Sequence, residues 1–323
     1  MHGFSRKTRP AWRSVNKRGT SLGASSAGRV GDDRRMALLK RAGLFSNDTH
    51  GAKITRAASL EDLSEAYRLV HDVFVERGYI RPQANGYRIR VFEAMPETAT
   101  FVAKCGSEMV GVTSVLVDSP DLGLPSDQVF GPEIDALRAQ GRQVCEGTNW
   151  LVAESHRKSA VMSELMRSSF AHAMAEGCTD FIGSVSPGHA RFYGLLGFET
   201  LAGPKNYSNE VEDPVVLVRL DLAGLSKRFE GVEASDNQVE RFLKQYYVDE
   251  NPYHRFVGGW KVLSDRLFAD PISLGELFVH RSGLLSDCPA EVCRALRKRW
   301  SAAVFDAVVP AETSAPAKTP RAG

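Results

Sequence analysis

CEGTNWLVAE (145–154), DFIGSVSP (180–187) and HARFYGLLGFE (189–199) are the stretches that decide how this chain folds. The first reads as a buried strand that carries one acidic residue, Glu146, among small and apolar neighbours. KSAVMSELMRSSFAHAMAEG (158–177) follows, with apolar residues at helical spacing and Gly177 at its end. DFIGSVS is a second short strand. HARFYGLLGFE then puts Tyr193 on a short helix that stops at Gly197, where Phe198 opens a further strand. A strand, a helix and a strand in this order make a parallel pair with a crossover. The expected class is α/β (α+β): a mixed twisted sheet flanked by helices, with Glu146 before and Tyr193 after one cleft.

Upstream, AKITRAAS (52–59) reads as a strand that runs into a helix. Ser59 is its N-cap, Glu61 and Asp62 lie in its first turn, and Leu60, Leu63, Tyr67, Val70 and Phe74 repeat along one face before Gly78. TATFVAKC (98–105) and MVGVTSVLVD (109–118) alternate around a Gly-Ser-Glu turn and predict a β-hairpin. Residues 118–141, with several Pro, Gly and Asp, read as an insertion over the sheet around a helix at PEIDALRAQ (132–140). DPVVLVRLDL (213–222) is a last strand. Beyond it, NQVERFLKQYYV (237–248) and PAEVCRALRKRWSAAVF (289–305) are helical, whereas NPYHRFVGG (251–259) and ADPISLGE (269–276) read as turns. The expected division is a disordered basic tail over 1–50, a main α/β domain over 51–224, a helical C-terminal extension over 225–306 and a disordered tail over 307–323.

The 323 residues are 43% hydrophobic and 25% charged, the composition of a globular protein with a sizeable core. The net charge of +2 hides an asymmetry. Residues 1–41 hold eleven Lys/Arg and two Asp, while the rest of the chain is acidic on balance. Without aromatics interleaved among those charges, nucleic acid is an unfavoured partner, and a basic arm would sooner meet an acidic protein. The cysteines, Cys105, Cys145, Cys178, Cys288 and Cys293, are five in number and include no C-x-x-C pair, as expected of free thiols in a reducing compartment. There is no apolar run of membrane-spanning length, and the basic N-terminus lacks the apolar core of a signal peptide, so a cytoplasmic location is expected. The sequence shows no metal-ligand spacing, G-x-S-x-G elbow or phosphate-binding G-x-x-x-x-G-K, which argues against a metalloenzyme, a hydrolase and an ATPase.

Glu146 and Thr148 alternate onto one face of their strand. A carboxylate at a cleft there takes a proton from an attacking amine if burial lifts its pKa; otherwise it is a surface residue paired with a cation. The Tyr193 phenol either protonates a departing thiolate or packs beside Phe192 and Phe198, and spacing alone leaves both open. Ser184, Ser186 and His189 gather at the end of the second strand.

Residues 53–222 resemble the GCN5-related N-acyltransferase (GNAT) fold, whose terminal helix–strand signature is similar to ARFYGLLGFE. More closely, YRLVHDVFVERGYI (67–80) and CEGTNWLVAE resemble segments of the long-chain N-acyl amino acid synthases and the acyl-homoserine-lactone synthases. The resemblance implies Glu146 as the base. It also implies transfer of a long-chain acyl group from a thioester to the α-amine of an amino acid. Two positions depart from the pattern. Asn149 stands where those families carry arginine, and the superfamily's pyrophosphate loop falls on Arg157, Lys158, Ser159, Ala160, Val161 and Met162, without its glycines. Such a loop needs close backbone approach to phosphate at a helix N-terminus. Its loss favours acyl-phosphopantetheine on acyl carrier protein over acyl-coenzyme A as co-substrate, with no tightly bound cofactor and no metal.

On this reading the donor lies along Trp150, Leu151, Val152 and Ala153, pairing as an added strand would. Arg157, Lys158, Ser159 and Ser186 complete its site, and Tyr193 or solvent protonates the thiolate. Thr148 and a cation at Arg77 or Arg81 receive the acceptor. An acetyl-coenzyme A N-acetyltransferase and a degenerate GNAT-fold lipid- or partner-binding protein are the competing expectations.

Overall fold

A computed structural model describes residues 24–207 and 214–309. The elements in chain order are α1 (Ala24–Arg41), β1 (Lys53–Arg56), α2 (Leu60–Glu76), β2 (Ala99–Cys105), β3 (Glu108–Val117), α3 (Asp127–Arg138), β4 (Val144–Val152), α4 (Val161–Ala175), β5 (Asp180–Val185), α5 (Pro187–Leu195), β6 (Glu199–Asn206) and β7 (Pro214–Asp221). The C-terminal helices are α6 (Leu225–Arg228), α7 (Gln238–Lys244), α8 (Val257–Phe268), α9 (Pro271–Gly275), α10 (Ala290–Trp300) and α11 (Ala302–Val308). Seven strands form one mixed sheet in the order β1-β2-β3-β4-β5-β7-β6, in which β4 and β5 are parallel neighbours joined through α4. The predicted crossover, hairpin and Ser59 cap are all present, the Ser59 side chain accepting from the Asp62 N–H at 3.1 Å.

Alternation along the strands sorts the core. On one face Cys145, Phe170, Phe181, Tyr193 and Phe198 pack with α4 and α5. The other face carries two clusters. Tyr67, Val70 and Leu151 pack under α2, while Val144, Phe130, Ile134 and Ile182 pack under α3. Glu146, on the same side as Val144, therefore sits at the seam between the α2 and α3 clusters.

Helix α1 falls inside the segment expected to be a disordered tail. It is anchored: Leu39 and Leu44 are buried in the α4-side core, and Arg35 donates to the Leu195 carbonyl at 3.0 and 2.8 Å. Low local hydrophobicity hid a few well-placed leucines. Residues 1–23, 208–213 and 310–323, with most of the expected tails, lie outside the described residues.

Residues 225–309 do not form a unit with a core of its own. Leu225, Leu243, Tyr247 and Trp260 enter the α4-side core, with Trp260 4.8 Å from Phe101. Leu274, Phe278, Trp300 and Phe305 join the α2 cluster, and the Trp300 indole donates to the Ala94 carbonyl at 2.7 Å. One segment thus covers both faces of the sheet. Two expected turns also contain helix: α8 begins at Val257, and α9 starts behind the Asp270 cap, whose carboxylate accepts from the Ile272 N–H.

Candidate active site

Strand β4 pairs with β5 at only three positions, Val144–Asp180, Cys145–Phe181 and Glu146–Ile182. Past Glu146 the two strands part, while β4 stays paired with β3 as far as Val152. Glycine is required at 147 by close packing, because a Cβ there would lie 2.5 Å from the Phe181 ring. One residue later β4 bulges: Val112 faces Leu151 but Ser114 faces Thr148, so β4 holds one extra residue. Asn149 absorbs it at φ +56°, a conformation that Asn tolerates better than most side chains. The bulge resets the alternation, leaving Trp150 and Val152 against the α4-side core and Leu151 under α2.

At this branch point Glu146 is only 2% exposed. Ser126, at the start of α3, donates its N–H to one carboxyl oxygen at 3.0 Å and its hydroxyl to the other at 2.8 Å. The Ser126 hydroxyl also lies 2.6 Å from the Ser184 hydroxyl on β5. Burial pushes the Glu146 pKa up to about 7, against the pull of the Ser126 N–H, Arg90 and the Ser126 hydroxyl. A carboxyl group with that value accepts and returns protons near neutrality.

Around it stand groups that the sequence did not single out. Arg90 binds Glu93 at 2.5 Å and reaches the Thr148 hydroxyl at 3.5 Å. Burial opposes the Arg90 charge, but Glu93 beside it holds the guanidinium more firmly protonated than usual. The Asn149 amide donates to Glu93 at 3.3 Å and to the Ser114 hydroxyl at 3.1 Å, and Ser114 continues through Thr100 to the Tyr67 phenol. Asn149 therefore braces the site through its amide nitrogen, while its Oδ1 is buried without a partner among the described residues. Tyr207 is raised above its ordinary value by burial first and by Glu146 second. Arg88 completes the group, acted on by Arg90, Glu93, Tyr207 and Glu146. Arg88, Arg90 and Tyr207 carry no periodic signal; only their common charge setting around position 146 in three dimensions reveals them.

The predicted residues fall in separate places. Thr148 is beside Glu146 through Arg90. Trp150, Leu151, Val152 and Ala153 run along β4 beyond the branch. Tyr193 is on the other side of the sheet, 5.3 Å from Phe198 and 5.6 Å from Phe192, and burial lifts its phenol to about 12. These are the surroundings of the packing alternative. Ser186 precedes α5 and pairs with His189 at 2.9 Å. Arg77 and Arg81 are exposed beyond the end of α2.

The turn before α4 is closed by the chain itself. The Ala160 N–H donates to the Asp48 carbonyl at 2.8 Å, the Val161 N–H to the Ser159 hydroxyl at 3.2 Å, and the Ser159 hydroxyl to the His156 carbonyl at 2.7 Å. Gly43 packs on the Ser159 carbonyl. Arg157 and Lys158 remain exposed on this turn. Among the described residues no group of His, Cys, Asp and Glu could hold a metal ion, and no helix is long and apolar enough to cross a membrane.

Residues 65–221, just under half of the chain, match the family model of the N-acyl amino acid synthase FeeM. The chain is an N-acyltransferase. Solved structures with a similar fold include FeeM, an N-acyl amino acid synthase from uncultured soil microbes, at 22% identity over 53% of this chain and 91% of that one, TM-score 0.46. The CoA-dependent acyl-homoserine lactone synthase BjaI is 19% identical over 60% and 89%, TM-score 0.44. The acyl-homoserine lactone synthase LasI is 15% identical over 53% and 89%, TM-score 0.40. No curated protein matches the sequence. The N-acyltransferase has the mixed twisted sheet flanked by helices that its sequence leads one to expect.

Proposed function

We propose that this N-acyltransferase moves a long-chain acyl group from the phosphopantetheine thioester of acyl carrier protein to the α-amine of an amino acid. The observation that carries the reading is the Glu146 carboxyl, enclosed where β4 leaves β5 and poised near neutrality. The thioester lies along the unpaired side of β4 past Glu146, its amides bonding to that strand's backbone. The amine attacks the thioester carbon, the C–N bond forms and the C–S bond breaks. Glu146 takes the proton that the amine loses, and the departing thiolate is protonated from Glu146 or solvent.

A carrier protein suits the turn before α4 better than coenzyme A does. The Ala160 and Val161 N–H groups, which a pyrophosphate would need, already have partners, and Met162 stands where the loop pattern has a small residue. Exposed Arg157 and Lys158 offer cations to an acidic carrier surface.

The test offers the purified protein acyl carrier protein or coenzyme A loaded with the same long-chain acyl group, with a mixture of amino acids, and identifies products by mass spectrometry. N-acyl amino acids formed at least tenfold faster from the carrier support the reading. Equal or faster transfer from coenzyme A removes the carrier, and absence of N-acyl amino acids removes the acceptor.

A further inference from the structure

Most charged groups around Glu146 have a partner. Arg90 is committed to Glu93, and Glu146 accepts from Ser126. Arg88 is different. Its backbone N–H is fixed to the Tyr67 carbonyl at 3.0 Å, which ties its position to α2. Its Nε is buried and meets no acceptor among the described residues. Burial and the neighbouring Arg90 charge lower its pKa to about 10, and the opposing pull of Glu93, Tyr207 and Glu146 is electrostatic, without a hydrogen bond. The side chain is half-buried, with Nε sealed from water and no bonded counter-ion, and a partly desolvated cation of this kind favours an anion.

We propose that Arg88 binds the α-carboxylate of the acceptor amino acid, beside the Glu146 carboxyl that takes the proton from its amine. The assignment rests on the amino-acid acceptor reading above. Two features make it specific. The planar guanidinium fork matches both oxygens of a carboxylate, and Arg90, two residues along, is already occupied and so supplies field rather than bonds. An amino acid carries its amine and its carboxylate on one carbon, so one ligand presents the amine to Glu146 and the carboxylate to Arg88, two groups that act on each other electrostatically. Arg77 and Arg81, exposed beyond α2, are not needed for this role.

The test compares each amino acid with its neutral carboxamide as acceptor, in the wild type and in Arg88→Met and Arg88→Lys, with saturating acyl donor. The wild type should prefer the acid by about 10²-fold in kcat/KM, because a site built around a charged fork rejects the analogue that cannot pair with it. In Arg88→Met that preference should fall to within about threefold through a raised KM for the acid, with the KM for donor unchanged; Arg88→Lys should keep part of it. The melting temperature of Arg88→Met should not fall, since the change removes an unbonded, partly desolvated charge. A preference that survives in Arg88→Met overturns the assignment and leaves the amino-acid reading intact. Equal loss with acid and amide, accompanied by a lower melting temperature, makes Arg88 structural and overturns it too. A wild type that does not prefer the acid overturns both.

Discussion

Ser126 grips both oxygens of Glu146, one through its backbone N–H at 3.0 Å and the other through its hydroxyl at 2.8 Å. This pair joins the loop ahead of α3 to the base of the gap between β4 and β5, and it holds down the pH at which the buried carboxyl titrates. Burial alone would lift Glu146 further; the two bonds favour its charged form.

Replacing Ser126 with Ala removes the hydroxyl bond and keeps the N–H bond. The ionised carboxylate is then less well held, so the midpoint of the rise in kcat/KM with pH should move up by about 0.5–1 pH unit. A pH–rate profile of the variant against wild type reads this directly. Maximal turnover at high pH should fall only a few-fold, because the carboxylate is still present.

Stability should depend on pH through the same group. The Glu146 carboxyl titrates near 4.5 in the unfolded chain and near 7 in the fold, so the folded state holds the extra proton. Its contribution, on the order of 3 kcal/mol, is complete below about pH 4.5 and is lost as pH rises through about 7. Melting curves of wild type and Glu146→Gln at pH 5 and pH 8 isolate it. The variant should lose less stability between those pH values than the wild type does.

Asn149 carries a backbone demand together with two bonds. Asn149→Val should destabilise by about 2–4 kcal/mol, because a β-branched side chain at φ +56° is strained and the bonds to Glu93 and Ser114 disappear. Asn149→Gly keeps the backbone conformation and loses only the bonds, so its loss should be smaller. Denaturant titration of the two variants separates these contributions.

Leu39 tests whether α1 belongs to the fold. It is fully buried with Leu44 in the α4-side core, so Leu39→Ala should cost about 2–4 kcal/mol, which chemical denaturation measures. A tail without contacts would give no change.

Strand β4 was readable because its apolar residues bracket one acid, and the sheet order followed from alternation and the α4 crossover. Much of what makes the acid work was not. Ser126 lies in a Pro- and Gly-rich segment that reads as an insertion, with nothing local to point it at residue 146. Arg88 and Arg90 lie between α2 and β2 in a segment without period, and their charges act on Glu146 only because α2 and β4 share a face. Asn149 reads as a lost substrate contact until the bulge gives it a conformational task. The C-terminal helices show amphipathic spacing, but spacing names a buried face and not its partner, so their covering both sides of one sheet could not be foreseen. Tyr193 illustrates the converse: its sequence position fits a catalytic acid, and its ring lies among aromatics across the sheet.

The most direct measurement is kcat/KM for N-acylation as a function of pH in wild type and Glu146→Gln, with the acyl donor and amino acid that the wild type uses. The wild type should rise through about pH 7, and the variant should be slower by about 10²-fold or more across the range, with that rise gone. A Glu146→Gln enzyme with wild-type rates and an unchanged profile would contradict the account.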